Sequence, residues 1–396
     1  MSKRKILAIS TLLTINSSAL ALAQPDFGIA ETTTVTDGYQ VPWGIEVISD
    51  TEYLFTERHG QLFHYLDDVV TEVSGLPETL YKPADNWGAG GLMDVSRHPQ
   101  YATNGLVYIA YDSRDNGRLR FNVARFKLDG NKATNLEVIV TEEGIFSEGS
   151  RIAWQDGRHF FASVGIGGDP CPDPGADNLE SVKGKILRFM ADGSIPADNP
   201  FLDGAGNSTS IWSYGHRNVQ GLYFEETSGR LYASEHGPWG GGEINRIEAG
   251  QDHGWPRFSY GLNYESTDCS SVVTPISEDE ARATTVMPSF HWKAKARVGP
   301  SGLMKISNSN FTEWNCETCF LVGSMSYQPT PSDPQSTALL WVNLATGEYK
   351  PVLKNIGRLR DVAQLPSGDL LILVDQHSPN RGDSGRIIKL SRKDAN

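Results

Sequence analysis

Leu359-Arg360-Asp361-Val362, Leu370-Leu371-Ile372-Leu373-Val374 and Arg386-Ile387-Ile388-Lys389-Leu390 are three short apolar runs separated by polar, glycine-bearing turns. Each reads as a β-strand. The same three-part unit recurs upstream. First strands are expected at Trp43-Gly44-Ile45-Glu46-Val47, Gly91-Leu92-Met93-Asp94-Val95, Ser150-Arg151-Ile152-Ala153-Trp154, Gly221-Leu222-Tyr223-Phe224 and Gly302-Leu303-Met304-Lys305-Ile306. Second strands follow at residues 53–56, 106–111, 160–164, 231–234 and 320–323, and third strands at 185–189, 243–247 and 339–342. Six such groups fit an all-β, six-bladed β-propeller of four-stranded antiparallel blades. A β-solenoid fits less well, because the spacing between groups is uneven. A strand from residues 32–37 is expected to complete the last blade, a closure that removes the free edge of an open ring.

The N-terminus reads separately from this array. Lys3, Arg4 and Lys5 precede an apolar run at residues 6–13, and Ala21-Leu22-Ala23 supplies small residues before Gln24. This is the order of a secretory signal peptide over residues 1–23, which leaves 24–396 as the propeller domain and a periplasmic or secreted location. Thr14, Asn16, Ser17 and Ser18 interrupt the apolar stretch, so no membrane span is expected there, and no later segment has the length for one. The net charge of −13 argues against a nucleic-acid partner, since phosphate binding needs a basic face.

Cys171, Cys269, Cys316 and Cys319 would meet an oxidising compartment. Four cysteines allow three pairings, and Cys171–Cys269 with Cys316–Cys319 is preferred because each pair can share one loop region. Cys316-Glu317-Thr318-Cys319 as a redox or zinc motif is weaker, since no second such motif and no βαβ context accompany it.

In a propeller the residues before each first strand and after each second strand gather at one mouth of the central channel. Here these include His216-Arg217-Asn218, Arg358-Leu359-Arg360 and His236-Gly237-Pro238-Trp239. Three arginines at one mouth of an acidic protein call for an anion, and guanidinium forks suit carboxylates. The alternative is that Asp361, Glu235 or Glu243 pair with them and tie blades together. The glycine-rich bend at Gly237-Pro238 can offer carbonyl oxygens, which calcium prefers, although a glycine turn at a strand end is usually just a turn. His98, His159 and His253 have no partner histidine at metal-ligand spacing.

Several of these segments also carry a resemblance. Val41-Pro42-Trp43-Gly44, Thr56-Glu57-Arg58, Gly90-Gly91-Leu92-Met93-Asp94-Val95, Gly184-Lys185-Ile186-Leu187-Arg188, Tyr214-Gly215-His216-Arg217-Asn218-Val219-Gln220-Gly221-Leu222 and Ser234-Glu235-His236-Gly237-Pro238 resemble the glucose/sorbosone dehydrogenase family, most closely its aldose sugar dehydrogenase branch. The resemblance implies a soluble quinoprotein that binds pyrroloquinoline quinone (PQQ) and Ca²⁺ and oxidises a sugar to a lactone. Arg217 and Asn218 match the pair at the quinone, Arg358 and Arg360 the arginines on PQQ carboxylates, and Gly237 and Pro238 the calcium carbonyl donors. Glu243 and Asn245 match positions around the calcium loop. The electron acceptor is not identified.

The chain departs from that pattern at the base. The family's catalytic histidine lies four residues before the arginine of the third inner strand, and that place holds Ser147, before Arg151. A serine cannot replace an imidazole near neutral pH. Strand alternation is expected to set Glu148 on the side opposite Ser147. The supporting aspartate reads as Ile166, with Asp169 within reach through Gly167-Gly168. Ala89, Ser326 and Gly242 replace a glutamine, a lysine and an acidic residue. Two functions follow: a PQQ-dependent sugar dehydrogenase with a substitute base such as Glu148 or Asp169, or a non-catalytic sugar- or anion-binding propeller. A calcium-dependent lactonase stands well behind, since carboxylates and amides do not ring the channel.

Overall fold

A strand that is apolar at five successive positions needs cover on both faces. The computed structural model describes residues 29–82, 89–166, 174–262, 274–307, 310–328, 330, 332–333, 336–375 and 385–392. In it, the strand Leu370–Asp375 sends Leu370, Ile372 and Val374 into a cluster with Leu321 and Leu339 on one side. Leu371 and Leu373 turn the other way, against Tyr53 and Phe55. The period of two thus divides one strand between two interfaces.

That division repeats through six four-stranded antiparallel sheets. From the channel outward, blade one is Pro42–Ser49, Glu52–Glu57, Leu62–Leu66 and Val69–Glu72. Blade two is Leu92–Arg97, Leu106–Asp115, Arg118–Asp129 and Lys132–Glu143. Blade three is Ile152–Trp154, His159–Val164, Lys185–Met190 and Ile211–Ser213. Blade four is Asn218–Glu225, Arg230–His236, Glu243–Ile247 and Phe290–His291. Blade five is Arg297–Met304, Cys319–Gln328, Ser336–Asn343 and Glu348–Lys354. Blade six is Arg358–Gln364, Leu370–Asp375 and Gly385–Arg392, with Ile29–Tyr39 outermost.

The first strands touch their neighbours in turn, and the sixth touches the first, so the ring closes. A separate apolar cluster fills each of the six gaps between blades. Closure uses the expected N-terminal strand: Thr32 stands opposite Leu390 and Thr34 opposite Ile388. Arg151 pins the centre of the ring, its Nη1 lying 3.1 Å from Asp94 Oδ1 and 2.8 Å from Asp361 Oδ2. Asp361 therefore serves the channel wall.

Cys316 and Cys319 are disulfide-bonded with Cα atoms 5.0 Å apart, at the entry to the second strand of blade five. Cys171, Cys269, residues 1–23, expected to be a signal peptide, and Gly167-Gly168-Asp169 lie outside the described residues. Among the described residues no helix is long and apolar enough to cross a membrane.

Candidate active site at the channel mouth

Antiparallel pairing dictates that each second strand ends where its first strand begins. Asn218 accordingly faces His236, and Arg358 faces Asp375. Backbone bonds join neighbouring blades at this level: Gly90 N donates to Ser147 O at 2.9 Å, and Ile166 N to Arg217 O at 2.7 Å. The expected convergence of Arg217, Asn218, Arg358 and Arg360 on one mouth is present.

A fourth guanidinium, Arg58, joins them. The buried ring of Trp43 meets three guanidinia, Arg58 at 4.0 Å, Arg360 at 4.4 Å and Arg151 at 5.9 Å from its centroid. Arg358 and Arg360 share one carboxylate: Arg360 Nε pairs with Asp375, and Arg358 Nε lies 3.4 Å from Asp375 Oδ1. Burial holds the Arg360 guanidinium below its ordinary range; Asp375 opposes this, while Arg358 and Arg58 add to it. Burial lowers Arg58 as well, against the pull of Tyr81, Asp112 and Glu148. His236 is pushed down to about 3, first by burial and then by Arg217, Arg358 and Arg360. It is neutral, and its buried Nε2 makes no hydrogen bond among the described residues. Clustered cations of this kind suit an anion.

The glycine-rich loop supplies the opposite polarity. Arg217 Nη1 donates to His236 O at 3.2 Å and to Gly237 O at 3.1 Å. A Cβ at Gly237 would fall 2.2 Å from Gly240 O and 2.4 Å from Gly241 O, so only glycine fits. The guanidinium thus occupies the carbonyls of His236 and Gly237, and of the expected calcium pair, Gly237 and Pro238, it meets the Gly237 oxygen. Among the described residues no group of three or more His, Cys, Asp or Glu could hold a metal. A cation here would take main-chain oxygens and complete its shell from a cofactor. Gly242 could not carry an acid in this packing, since its Cβ would meet Pro300 Cδ at 2.8 Å.

Arg217 is held from behind. Its N–H donates to Glu235 Oε2 at 2.7 Å, while Asn245 Nδ2 donates to Glu235 Oε1 at 2.6 Å and His216 Nδ1 lies 3.2 Å from it. Burial, then the Glu235 carboxylate, pushes Glu243 well above the carboxylate range. His253 stacks on His216 at 4.6 Å. These groups brace the mouth from within the blade.

At the base position the expected orientation is revised. Ser147 is wholly buried: its N–H donates to Asp112 Oδ2 at 2.8 Å and its Oγ to Gly149 O at 2.6 Å. Burial pushes the Asp112 carboxyl well up, with the Ser147 N–H and Arg58 opposing. Glu148 is the half-exposed neighbour. Its Oε2 accepts from Asn218 Nδ2 at 3.2 Å, and its carbonyl accepts from Arg58 Nη2 at 3.1 Å. The two side chains do face opposite ways, but the open side belongs to Glu148. The inner strand starts only at Ile152, so strand alternation does not decide which residue points outward. Ile166 is buried, and the Ser326 hydroxyl donates to Arg297 O at 3.1 Å. From sequence, Arg58 and His236 were quoted only within longer motifs with no role assigned and Asp375 not at all, although all three stand at or just after second-strand ends, the positions that the blade pattern marks.

The signature of glucose/sorbosone dehydrogenases matches residues 39–388. The chain belongs to the glucose/sorbosone dehydrogenase family. Within that family it is 30% identical over 362 residues to the aldose sugar dehydrogenase YliI of Escherichia coli, covering 88% of this chain and 90% of that protein. It is 28% identical over 247 residues to quinoprotein glucose dehydrogenase B of Acinetobacter calcoaceticus, about half of each chain, at 52% and 50%. The apo-form crystal structure of the soluble aldose sugar dehydrogenase from Escherichia coli superposes with a TM-score of 0.74 at 26% identity, over 92% of this chain and 99% of that one. That relative's structure superposes on the ring as a whole, so the four-arginine mouth is the feature to interpret.

Proposed function

We propose that this member of the family is a PQQ-dependent sugar (aldose) dehydrogenase, exported to the periplasm or secreted after removal of residues 1–23. The observation that carries the reading is the mouth itself: Arg58, Arg217, Arg358 and Arg360 beside the carbonyls of His236 and Gly237. When bound, PQQ supplies a tricarboxylate anion and a two-electron acceptor. Arg358 and Arg360 hold carboxylates, Arg217 and Asn218 orient the redox end, and Gly237 and Pro238 offer carbonyl oxygens to Ca²⁺. Arg217 sits where negative charge grows on reduction, a place where a prepositioned cation lowers the barrier. The sugar enters from the solvent side, past Glu148.

The test is thermal unfolding of the apo protein with PQQ and Ca²⁺, singly and together. Ligands that bind only the folded state stabilise it by about 2.7 kcal/mol at a hundred times the dissociation constant. A joint stabilisation together with aldose-dependent dye reduction is the expected result. No stabilisation at saturating PQQ and Ca²⁺ removes the quinoprotein reading.

A second reading, a propeller that binds a sugar or anion without turnover, is favoured by the burial of Ser147 in the histidine's place. It is distinguished by stabilisation without dye reduction.

A further inference from the structure

We infer that Glu148 is the general base of this site, an inference that rests on the dehydrogenase function proposed above. Oxidising a hydroxyl-bearing carbon requires a base that meets the O–H proton at the open mouth. Among the described residues, the other candidates at the mouth are committed elsewhere. Asp375 is buried between Arg358 and Arg360. Asp112 is buried behind Ser147, and Glu235 is engaged by the Arg217 N–H and Asn245. His236 lies among three guanidinia, which oppose its protonation. Glu148 is half-exposed, and its carboxylate is aligned by the Asn218 amide, one residue from Arg217. Asn218 is itself oriented, since its Oδ1 accepts from Gln220 Nε2 at 2.6 Å. The Arg58 contact to the Glu148 carbonyl fixes the backbone from which the carboxylate projects.

The step balances as follows. The hydroxyl proton passes to a Glu148 oxygen and the C–H bond breaks, its electron pair leaving as hydride to a quinone oxidant. The C–O bond becomes a carbonyl, so a cyclic hemiacetal yields a lactone. The substrate loses one proton and one hydride, and Glu148 then returns its proton to solvent.

Glu148→Gln isolates the charge, because the amide oxygen can still accept from Asn218. Its PQQ- and Ca²⁺-dependent thermal stabilisation should equal or exceed that of wild type, since a negative charge beside the cation cluster is gone. Aldose-dependent dye reduction should fall by about 10²- to 10⁴-fold. Glu148→Asp, which keeps the charge, should retain part of the rate. If Glu148→Gln turns over within about threefold of wild type, the inference fails while the dehydrogenase reading stands. If wild type is stabilised by PQQ and Ca²⁺ but reduces no dye, the inference fails and the non-catalytic reading gains. If wild type shows no stabilisation, the quinoprotein reading fails and takes this inference with it.

Discussion

Arg217 Nη1 lies 3.1 Å from the carbonyl oxygen of Gly237, so a fixed positive charge already rests on an oxygen proposed to receive Ca²⁺. Unit charges about 4 Å apart interact by roughly 4 kcal/mol at an effective dielectric of about 20, enough to make the two cations compete. Arg217→Gln should therefore bind Ca²⁺ alone more tightly than wild type. The same variant should respond less to PQQ with Ca²⁺ present, because a charge-assisted contact to the anion is lost. Thermal unfolding across a Ca²⁺ titration, with and without PQQ, reads both effects. An unchanged response to Ca²⁺ alone would show that the guanidinium does not hold the cation's place.

Arg358 and Arg360 flank Asp375 unequally, and their alanine variants should separate stability from binding. Arg360 is the direct partner of a buried carboxylate, and breaking such a pair typically costs about 3–5 kcal/mol. Arg358 stands off at 3.4 Å from that carboxylate and also rests on Met325 Sδ at 3.5 Å. Arg358→Ala should leave denaturant stability within about 1 kcal/mol of wild type while reducing the PQQ-dependent shift. Arg360→Ala should lower both. Equal stability losses in the two variants would contradict the unequal sharing.

His236 gives the apo protein an acid-side pH dependence of known sign. Its folded value, about 3, lies below the unfolded value, about 6.5, so the unfolded chain binds the extra proton between them. The contribution is complete above that unfolded value and is lost as the pH falls towards the folded one. The thermal midpoint should decline through this window, and His236→Gln should flatten part of the decline. His253, held well down by burial, shifts in the same direction and accounts for a remaining slope. A parallel pH profile for His236→Gln would falsify the assignment.

Restoring a histidine at position 147 should damage the fold. Ser147 is enclosed by Asp112, Gly149 and Gly165, and overpacking a filled site costs about 1–3 kcal/mol or more. Ser147→Ala loses the hydroxyl's bond to Gly149 O and the one it accepts from the Gly165 N–H, but that N–H keeps its bond to Gly149 O, so the cost stays at roughly 1 kcal/mol. Denaturant unfolding should rank the two in that order. A Ser147→His protein as stable as wild type would mean that the segment can turn this residue outward.

The ring was legible in the sequence because apolar runs such as Leu370-Leu371-Ile372-Leu373-Val374 recur between polar turns, and because a propeller leaves a place for an N-terminal strand. Pairing of Ile29–Tyr39 with Gly385–Arg392 accords with the strand expected from residues 32–37. Arg217, Arg358 and Arg360 were legible for the same topological reason. Glu148 was named from sequence as a substitute base beside Asp169, but which of Ser147 and Glu148 faces the mouth was not legible, since both precede the strand that opens at Ile152 and local hydrogen bonds set their directions. Asp375 closes a strand whose apolar run drew attention to packing. Its importance appears only when Arg358 and Arg360 are brought against it.

Glu31 meeting Ser391 and Thr32 meeting Leu390 join the beginning of the described chain to its end. During synthesis the first of these strands must wait, unpaired, for almost the whole polypeptide to be made. Closing so long a loop is slow, because its entropy is lost before the contact repays it. Until then blade six exposes a backbone edge able to recruit another chain. A nascent or truncated chain that ends before Gly385 should therefore be more prone to aggregate than the finished protein, even with its first blades already formed.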